Sequence, residues 1–249
     1  MAVWQYLLLI LAVLGGGGLA IASYDRGRGR VEKFLPLLLS FSGAYLLSIA
    51  AMELMPTVFR DPGLHTGIWI IAGFIIQLLL ESLSQGVEHG HVHAHEQGSI
   101  SFALSIMFGL GVHAFLEGLP LGTVSGEIIH GHAHAHSDGS HLLWGIVIHK
   151  IPAAFALAVL LLSSQFSRTF VLSCLLTFAL LSPLGALVGE IISIDPLWTN
   201  RILALVIGSF LHISTTIIFE ADQGRRHGIS LRKFLVVLLG VAVAVFTAH

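Results

Sequence analysis

Charge is what this sequence has least of. Only 10% of its 249 residues are Asp, Glu, Lys or Arg, against about a quarter in an ordinary soluble domain, too few to cover the surface of a water-soluble fold of this length. Cysteine is nearly absent: Cys174 lies alone inside an apolar block, so no intrachain disulfide forms and the redox compartment is unreadable. The net charge of −2 with histidine neutral is too small for a nucleic-acid partner. No phosphate-binding P-loop run is present, which excludes that route to nucleotide-driven work, and no His-Glu-x-x-His run or separate general base marks a zinc hydrolase. No Lys or Arg precedes the first apolar core, so a spanning helix is expected there rather than a cleaved signal, despite the small residues Ala20, Ala22 and Ser23.

What is present is apolar length. Hydrophobic residues make up 55% of the chain and the mean hydropathy is +0.88. They fall in blocks of roughly 20, the length that crosses ~30 Å of hydrocarbon as a helix. The hydropathy predicts an all-α integral membrane protein with eight transmembrane helices over residues 2–23, 34–55, 65–84, 100–124, 142–164, 169–193, 200–220 and 232–248, a single transmembrane domain over 1–249. The connections carry turn chemistry, as in Arg60-Asp61-Pro62-Gly63 and Asp222-Gln223-Gly224.

Lys and Arg sort by loop. The first, third, fifth and seventh connections hold Arg26, Arg28, Arg30, Lys33, Arg168, Arg225, Arg226, Arg232 and Lys233, whereas the even ones hold only Arg60 and Arg201. The positive-inside rule then places the odd loops in the cytoplasm and both termini on the extracytoplasmic side. Gly15 to Gly18 in the first span, and Ser105, Gly109 and Gly111 in the fourth, are expected where helix backbones approach closely, with no chemistry assigned to them.

Ionisable groups inside a span are expensive and point to function. They are Glu53, His113, Glu117, His149, Lys150, His212 and Glu220, with Glu190 near one end of the sixth span and Glu81 expected at an interface. His113 and Glu117 are four apart and share a helix face. An imidazole nitrogen and a carboxylate oxygen on adjacent turns can reach one ion of zinc size through bonds of ~2.0–2.2 Å. A hydrogen-bonded pair joining two helices is the plainer reading of these two residues alone. His149 adds another nitrogen, and Pro120 and Pro152 are expected to release backbone carbonyls at the same depth, as in the interrupted helices of transporters. Glu53 and His212 are candidates for a fourth or transient ligand, and each is equally well explained as a bundle hydrogen-bonding residue.

The run His113-Ala114-Phe115-Leu116-Glu117-Gly118, followed by His149-Lys150-Ile151-Pro152, resembles the ZIP family of divalent-metal transporters, with its His-x-x-x-Glu-Gly motif in the fourth span and its His-x-x-Pro motif in the fifth. Ser182-Pro183-Leu184-Gly185-Ala186 and Met52-Glu53-Leu54-Met55-Pro56 are similar to the family's sixth span and second-span ending. The resemblance implies eight spans, termini outside and metal transport toward the cytoplasm. Many members resemble binuclear sites, and this chain departs from them. Ala114 stands where Asn is common, Lys150 where Asp or Glu is common, Ala153 in place of a bridging Glu, and Ser182 where an acidic residue precedes the proline. The resemblance therefore implies that the second metal site is absent, with an ammonium at Lys150 able to offset the carboxylates that a second cation would neutralise. The expected ligands are His113, Glu117 and His149, with Lys150 and Ser182 beside them.

Two histidine tracts complete the pattern. His89, His91, His93 and His95 lie in a segment (85–99) expected to be a cytoplasmic loop. His132, His134 and His136, flanked by His130 and His141, lie in a segment (125–141) expected to be extracytoplasmic. Alternating His-x-His tracts without apolar periodicity bind metal by composition, and a flexible polar linker is the blander alternative. Neutral imidazole suits zinc, copper, iron and nickel, whereas magnesium and calcium want oxygen donors. Zn2+ is thus the expected transported substrate, with Fe2+, Mn2+, Co2+ or Cd2+ compatible with the same donors. The expected partners are the metal ion and membrane lipid, with apolar faces able to support a homodimer; the expected site is the plasma (inner) membrane. A membrane-embedded zinc metallohydrolase, and a metal exporter or sensor, are the competing readings. The ligand set fixes neither catalysis nor direction.

Overall fold

Apolar runs of this length bury their backbone polar groups most simply as helices, because hydrocarbon offers no other hydrogen-bond partner. The structure, a computed structural model, describes residues 1–24, 28–60, 65–84, 86–87, 99–129, 138–192, 195–220 and 230–247. The described residues form α1 (Val3–Tyr24), α2 (Arg28–Ile49), a π-helical turn (Ala50–Leu54), α3 (Met55–Arg60), α4 (Thr66–Ser84), α5 (Ile100–Ile129), α6 (Asp138–Ser163), α7 (Arg168–Ile191), α8 (Pro196–Glu220) and α9 (Leu231–Thr247). Seven described segments are long and apolar enough to cross a membrane. The eighth, α9, has 17 residues, the lower end of the spanning range.

Several boundaries differ from expectation for local reasons. The second span does not stop before Pro56. The Met55 N–H reaches back to the Ala50 carbonyl in the wider π register, and the chain continues helically to Arg60; an irregular turn of this kind accommodates a following residue that cannot donate. The seventh span starts at Pro196 rather than residue 200, because the Asp195 carboxylate accepts from the Leu197 N–H at 2.8 Å and proline suits the first helical position. Helix also reaches into the histidine segment at 125–141 from both sides, with α5 ending at Ile129 and α6 starting at Asp138. The expected interruption at Pro120 and Pro152 does not appear: α5 and α6 each run through their proline as one helix. Each proline removes one helical donor without splitting its helix.

Around α6 the bundle closes. Every residue from Ala153 to Leu162 is buried, and α1, α2, α5 and α7 all pack on this helix. A helix apolar on all sides belongs at such a centre. Outer helices show polar-in, apolar-out patterning: on α4, Gln77 is 1% exposed whereas Ile71 and Leu79 are each 61% exposed. At one end of α4 and α8 the Arg201 guanidinium lies 4.5 Å from the Trp198 ring and 5.5 Å from the Trp69 ring, as suits a cation beside membrane-interface aromatics. Lys233, on α9, is buried and donates to the Ile218 carbonyl of α8 at 2.8 Å, satisfying one of the last carbonyls of that helix.

Close approach of α5 to α7 sets the height of everything at the centre. Gly118 and Gly122 face the Ser182 and Ala186 carbonyls, while Gly185 and Gly189 face those of Phe115 and Leu119. A Cβ at any of these four positions would run into backbone. The two GxxxG runs thus interlock reciprocally. Gly73 and Gly208 join α4 to α8 the same way, against the Leu205 and Ile70 carbonyls. Of the glycines expected at contacts, Gly16 meets the Ile151 carbonyl, Gly17 the Leu175 side chain, Gly109 the Leu80 carbonyl and Gly111 the Leu181 side chain, while Gly15 and Gly18 face open space. Ser105 hydrogen-bonds the Leu83 carbonyl at 3.0 Å.

Gly122→Leu is therefore expected to lower the melting temperature of the detergent-solubilised protein by about 5–10 °C. Gly18→Leu is expected to leave it within error, and equal melting of the two variants would refute the contact.

Candidate metal site

The α5–α7 contact is why the residue after Glu117 is glycine. With no Cβ at Gly118, the Ser182 backbone comes up against α5, and the Ser182 hydroxyl lies 2.7 Å from the Ala114 carbonyl and 2.9 Å from Glu117 Oε1. From α6, Lys150 Nζ reaches the same Oε1 at 2.6 Å and lies 4.3 Å from the Phe178 ring centroid. One carboxylate oxygen is thereby held by a hydroxyl and an ammonium. The other, Oε2, is buried without a hydrogen bond and stands 3.4 Å from His113 Nε2. His113, Glu117, His149 and Lys150 are 3%, 1%, 2% and 1% exposed. The His149 ring is nearly perpendicular to that of His113, with centroids 6.5 Å apart.

The far side of His113 is fixed by residues that the sequence reading passed over. Ser209 on α8 donates to Gln77 Oε1 on α4 at 2.9 Å and lies 3.2 Å from His113 Nδ1. If the Ser209 proton goes to Gln77, Nδ1 carries the imidazole proton and Nε2 presents its lone pair toward Glu117. This is the arrangement in which metal-binding histidines are held by an outer partner. A cleft of about 110 Å³ reaches His113 and Glu117 between α4, α5 and α8, with Gln77, Gly73, Leu205 and Ser209 in its wall.

Other expected ligands are placed elsewhere. His212 Nε2 pairs with Glu81 Oε2, and the ring stands edge-on to Phe74 at 4.8 Å. Glu81, expected at an interface, is thus a bundle residue joining α4 to α8. Glu53 is half-buried in the π-helical turn. Among the described residues, no three His, Cys, Asp or Glu side chains stand close enough together to hold one ion. His141 is a half-buried residue of α6, whereas His89, His91, His93, His95, His130, His132, His134 and His136 lie outside the described residues. Two signals could have found the missed groups: Gln77 and Glu81 share one face of α4 at four-residue spacing, and Ser209 and His212 one face of α8 at three.

Because His212 and Glu81 share one contact, their substitutions should not add. Glu81→Gln and His212→Gln are each expected to destabilise the protein, with a coupling of about 0.5–3 kcal/mol in a double-mutant cycle read by denaturation in detergent. Additive losses would remove the pair from the account.

Comparison with known proteins bears on the family of the chain. Residues 84–248, about two thirds of the chain, match the ZIP zinc transporter family. Zinc transporter ZIP9-B of Xenopus laevis is 23% identical over 198 residues, covering 72% of this chain and 63% of that protein. Zinc transporter ZIP9 of Micropogonias undulatus is 26% identical over 174 residues, covering 65% and 53%. Zinc transporter 1 of Oryza sativa subsp. japonica is 31% identical over 159 residues, covering 58% and 42%. The matched stretch thus spans 42–63% of the length of these three relatives. With seven long apolar helices, the α5 and α6 motifs and a match over 84–248, this integral membrane protein belongs to the ZIP zinc transporter family.

Proposed function

We propose that the chain carries a divalent transition metal, Zn2+ first, across the membrane toward the cytoplasm through a one-ion site made by His113, Glu117 and His149. The observation that carries this reading is the pairing at the foot of the cleft: a buried carboxylate oxygen with no hydrogen bond, 3.4 Å from an imidazole nitrogen. A cation between or beside these two atoms would gain both as donors when the imidazole is neutral. Nitrogen and carboxylate donors of this kind suit zinc.

Small movements suffice to complete the set. Two imidazoles on one tetrahedral zinc, with Zn–N bonds of ~2.0–2.1 Å, have ring centroids about 5 Å apart, against 6.5 Å between His113 and His149. Rotations within the bundle bring both nitrogens to one ion. Three protein ligands leave a coordination position open, which suits a carrier because a closed four-ligand cage retains its ion. Lys150 takes the place of a second metal, so a single ion is carried. His212 and Glu53 act as transient contacts along the route.

The charge distribution supports an orientation, and the inward direction rests on the family resemblance. With the Arg-rich loops inside, both termini face outward and the tract around His132, His134 and His136 gathers metal at the outer face. The His89, His91, His93 and His95 tract receives it in the cytoplasm, at the plasma membrane. An inside-negative potential favours inward passage of two positive charges by ~2.3 kcal/mol per charge per 100 mV. His113 and His149 must be neutral to bind metal, so protons compete and uptake weakens as pH falls.

Uptake of radioactive zinc into liposomes containing the purified protein tests the reading. Saturable uptake is expected in wild type and a loss of about 100-fold or more in His113→Ala and Glu117→Ala; no flux of zinc, iron, manganese or cobalt would refute it. Deleting residues 89–95 is expected to alter apparent affinity while flux persists. Complete loss in a folded deletion variant would put that tract in the conduction path.

A further inference from the structure

Lys150 adds no ligand, yet it is 1% exposed at the centre of the bundle. We propose that Lys150 is a tethered counter-cation. It neutralises Glu117 after the metal has left, allows the metal-free carrier to return without binding a proton or second ion, and yields when the next metal arrives. This inference rests on the reading of His113, Glu117 and His149 as the metal site.

The geometry gives the two carboxylate oxygens different neighbours. Oε1 belongs to Lys150 and Ser182, at 2.6 and 2.9 Å, while Oε2 faces His113 Nε2 at 3.4 Å. An arriving metal meets a carboxylate that is already ionised and turned toward it. Once bound there, two positive charges sit across one carboxylate from the ammonium in a site that excludes water, where their repulsion is weakly screened. That repulsion lowers metal affinity and speeds release. Lys150 has somewhere to go: its flexible stem carries an ammonium already 4.3 Å from the Phe178 ring centroid, and an aromatic face stabilises a cation leaving a carboxylate.

Without the ammonium the two states of the carrier diverge. The metal-free site would hold a buried carboxylate with no cation, which is strongly unfavourable inside a membrane bundle. The loaded site would lose a repulsion. A group that merely pinned α5 to α6 would have the opposite signature, because its removal would loosen the site and weaken binding.

The test compares wild type, Lys150→Met and Lys150→Arg as full-length purified chains. Zinc binding is measured in detergent. Radioactive zinc flux is measured in liposomes as net uptake, which needs the metal-free return, and as exchange with zinc on both sides, which does not. Lys150→Met is expected to bind zinc about tenfold tighter and to raise the ratio of exchange to net uptake about tenfold, since a population shifts only by the difference between its two states. Lys150→Arg, which keeps the charge, is expected to move both quantities back toward wild type. Weaker or unchanged zinc binding in Lys150→Met, net uptake and exchange falling in parallel, or an uncharged variant whose folding zinc does not stabilise would each overturn the proposal and assign Lys150 a structural role. Wild-type protein that carries no zinc is a separate outcome that removes the transport reading and this inference together.

Discussion

A carboxylate buried in the middle of an apolar bundle needs a compensating charge, and the centre of this protein is arranged around that need. Glu117 is 1% exposed, and burial of an ion costs several kcal/mol even after relaxation. The ammonium of Lys150 at 2.6 Å contributes a direct attraction of order 6 kcal/mol at an effective dielectric constant of ~20. Lys150, itself 1% exposed, adds a burial cost of its own, and the Ser182 hydrogen bond to the same oxygen offsets part of the total. The pair leaves the other carboxylate oxygen turned toward His113, where the proposed carrier would meet its cation.

That arrangement depends on helix spacing. Ser182 reaches the oxygen that Lys150 holds from α6 because α7 lies directly against α5, with glycine at each of the four positions where a Cβ would strike backbone. The α4–α8 pair is joined by Gly73 and Gly208 in the same manner, and it supplies Gln77 and Ser209 to orient His113. The cleft beside Glu117 runs between these two pairs. The two tightly joined pairs meet across α4 and α5, where Gly109 lies on the Leu80 carbonyl and Ser105 bonds the Leu83 carbonyl, and the cavity lies beside that seam.

Much of the bundle was legible in the sequence because a membrane turns helices into long apolar runs, and the charges between the runs mark their ends. The ends that moved did so by local chemistry that a hydropathy window does not see: the Asp195 cap and Pro196 at the start of α8, and the π-helical turn that carries the second span past Pro56. His113, Glu117, His149 and Lys150 stood out because an ionisable residue inside a span needs a reason. Gln77 drew no notice, being uncharged, and Glu81 was assigned to an interface because it lies close to a helix end. Their partners on α8, Ser209 and His212, are more than 130 positions away in the chain. The GxxxG runs on α5 and α7 are present in the sequence, but the choice of which glycine meets which carbonyl belongs to the packing.

X-ray absorption at the zinc edge of the purified protein, loaded with one zinc per chain after deletion of residues 89–95 and replacement of His132, His134 and His136, tests the central claim most directly. The account predicts one zinc bound by two imidazole nitrogens and carboxylate oxygen at ~2.0–2.2 Å, with one imidazole contribution lost in His149→Ala. Zinc absent from that protein, or bound with a ligand shell unchanged in His113→Ala and His149→Ala, would place the metal elsewhere and contradict the account.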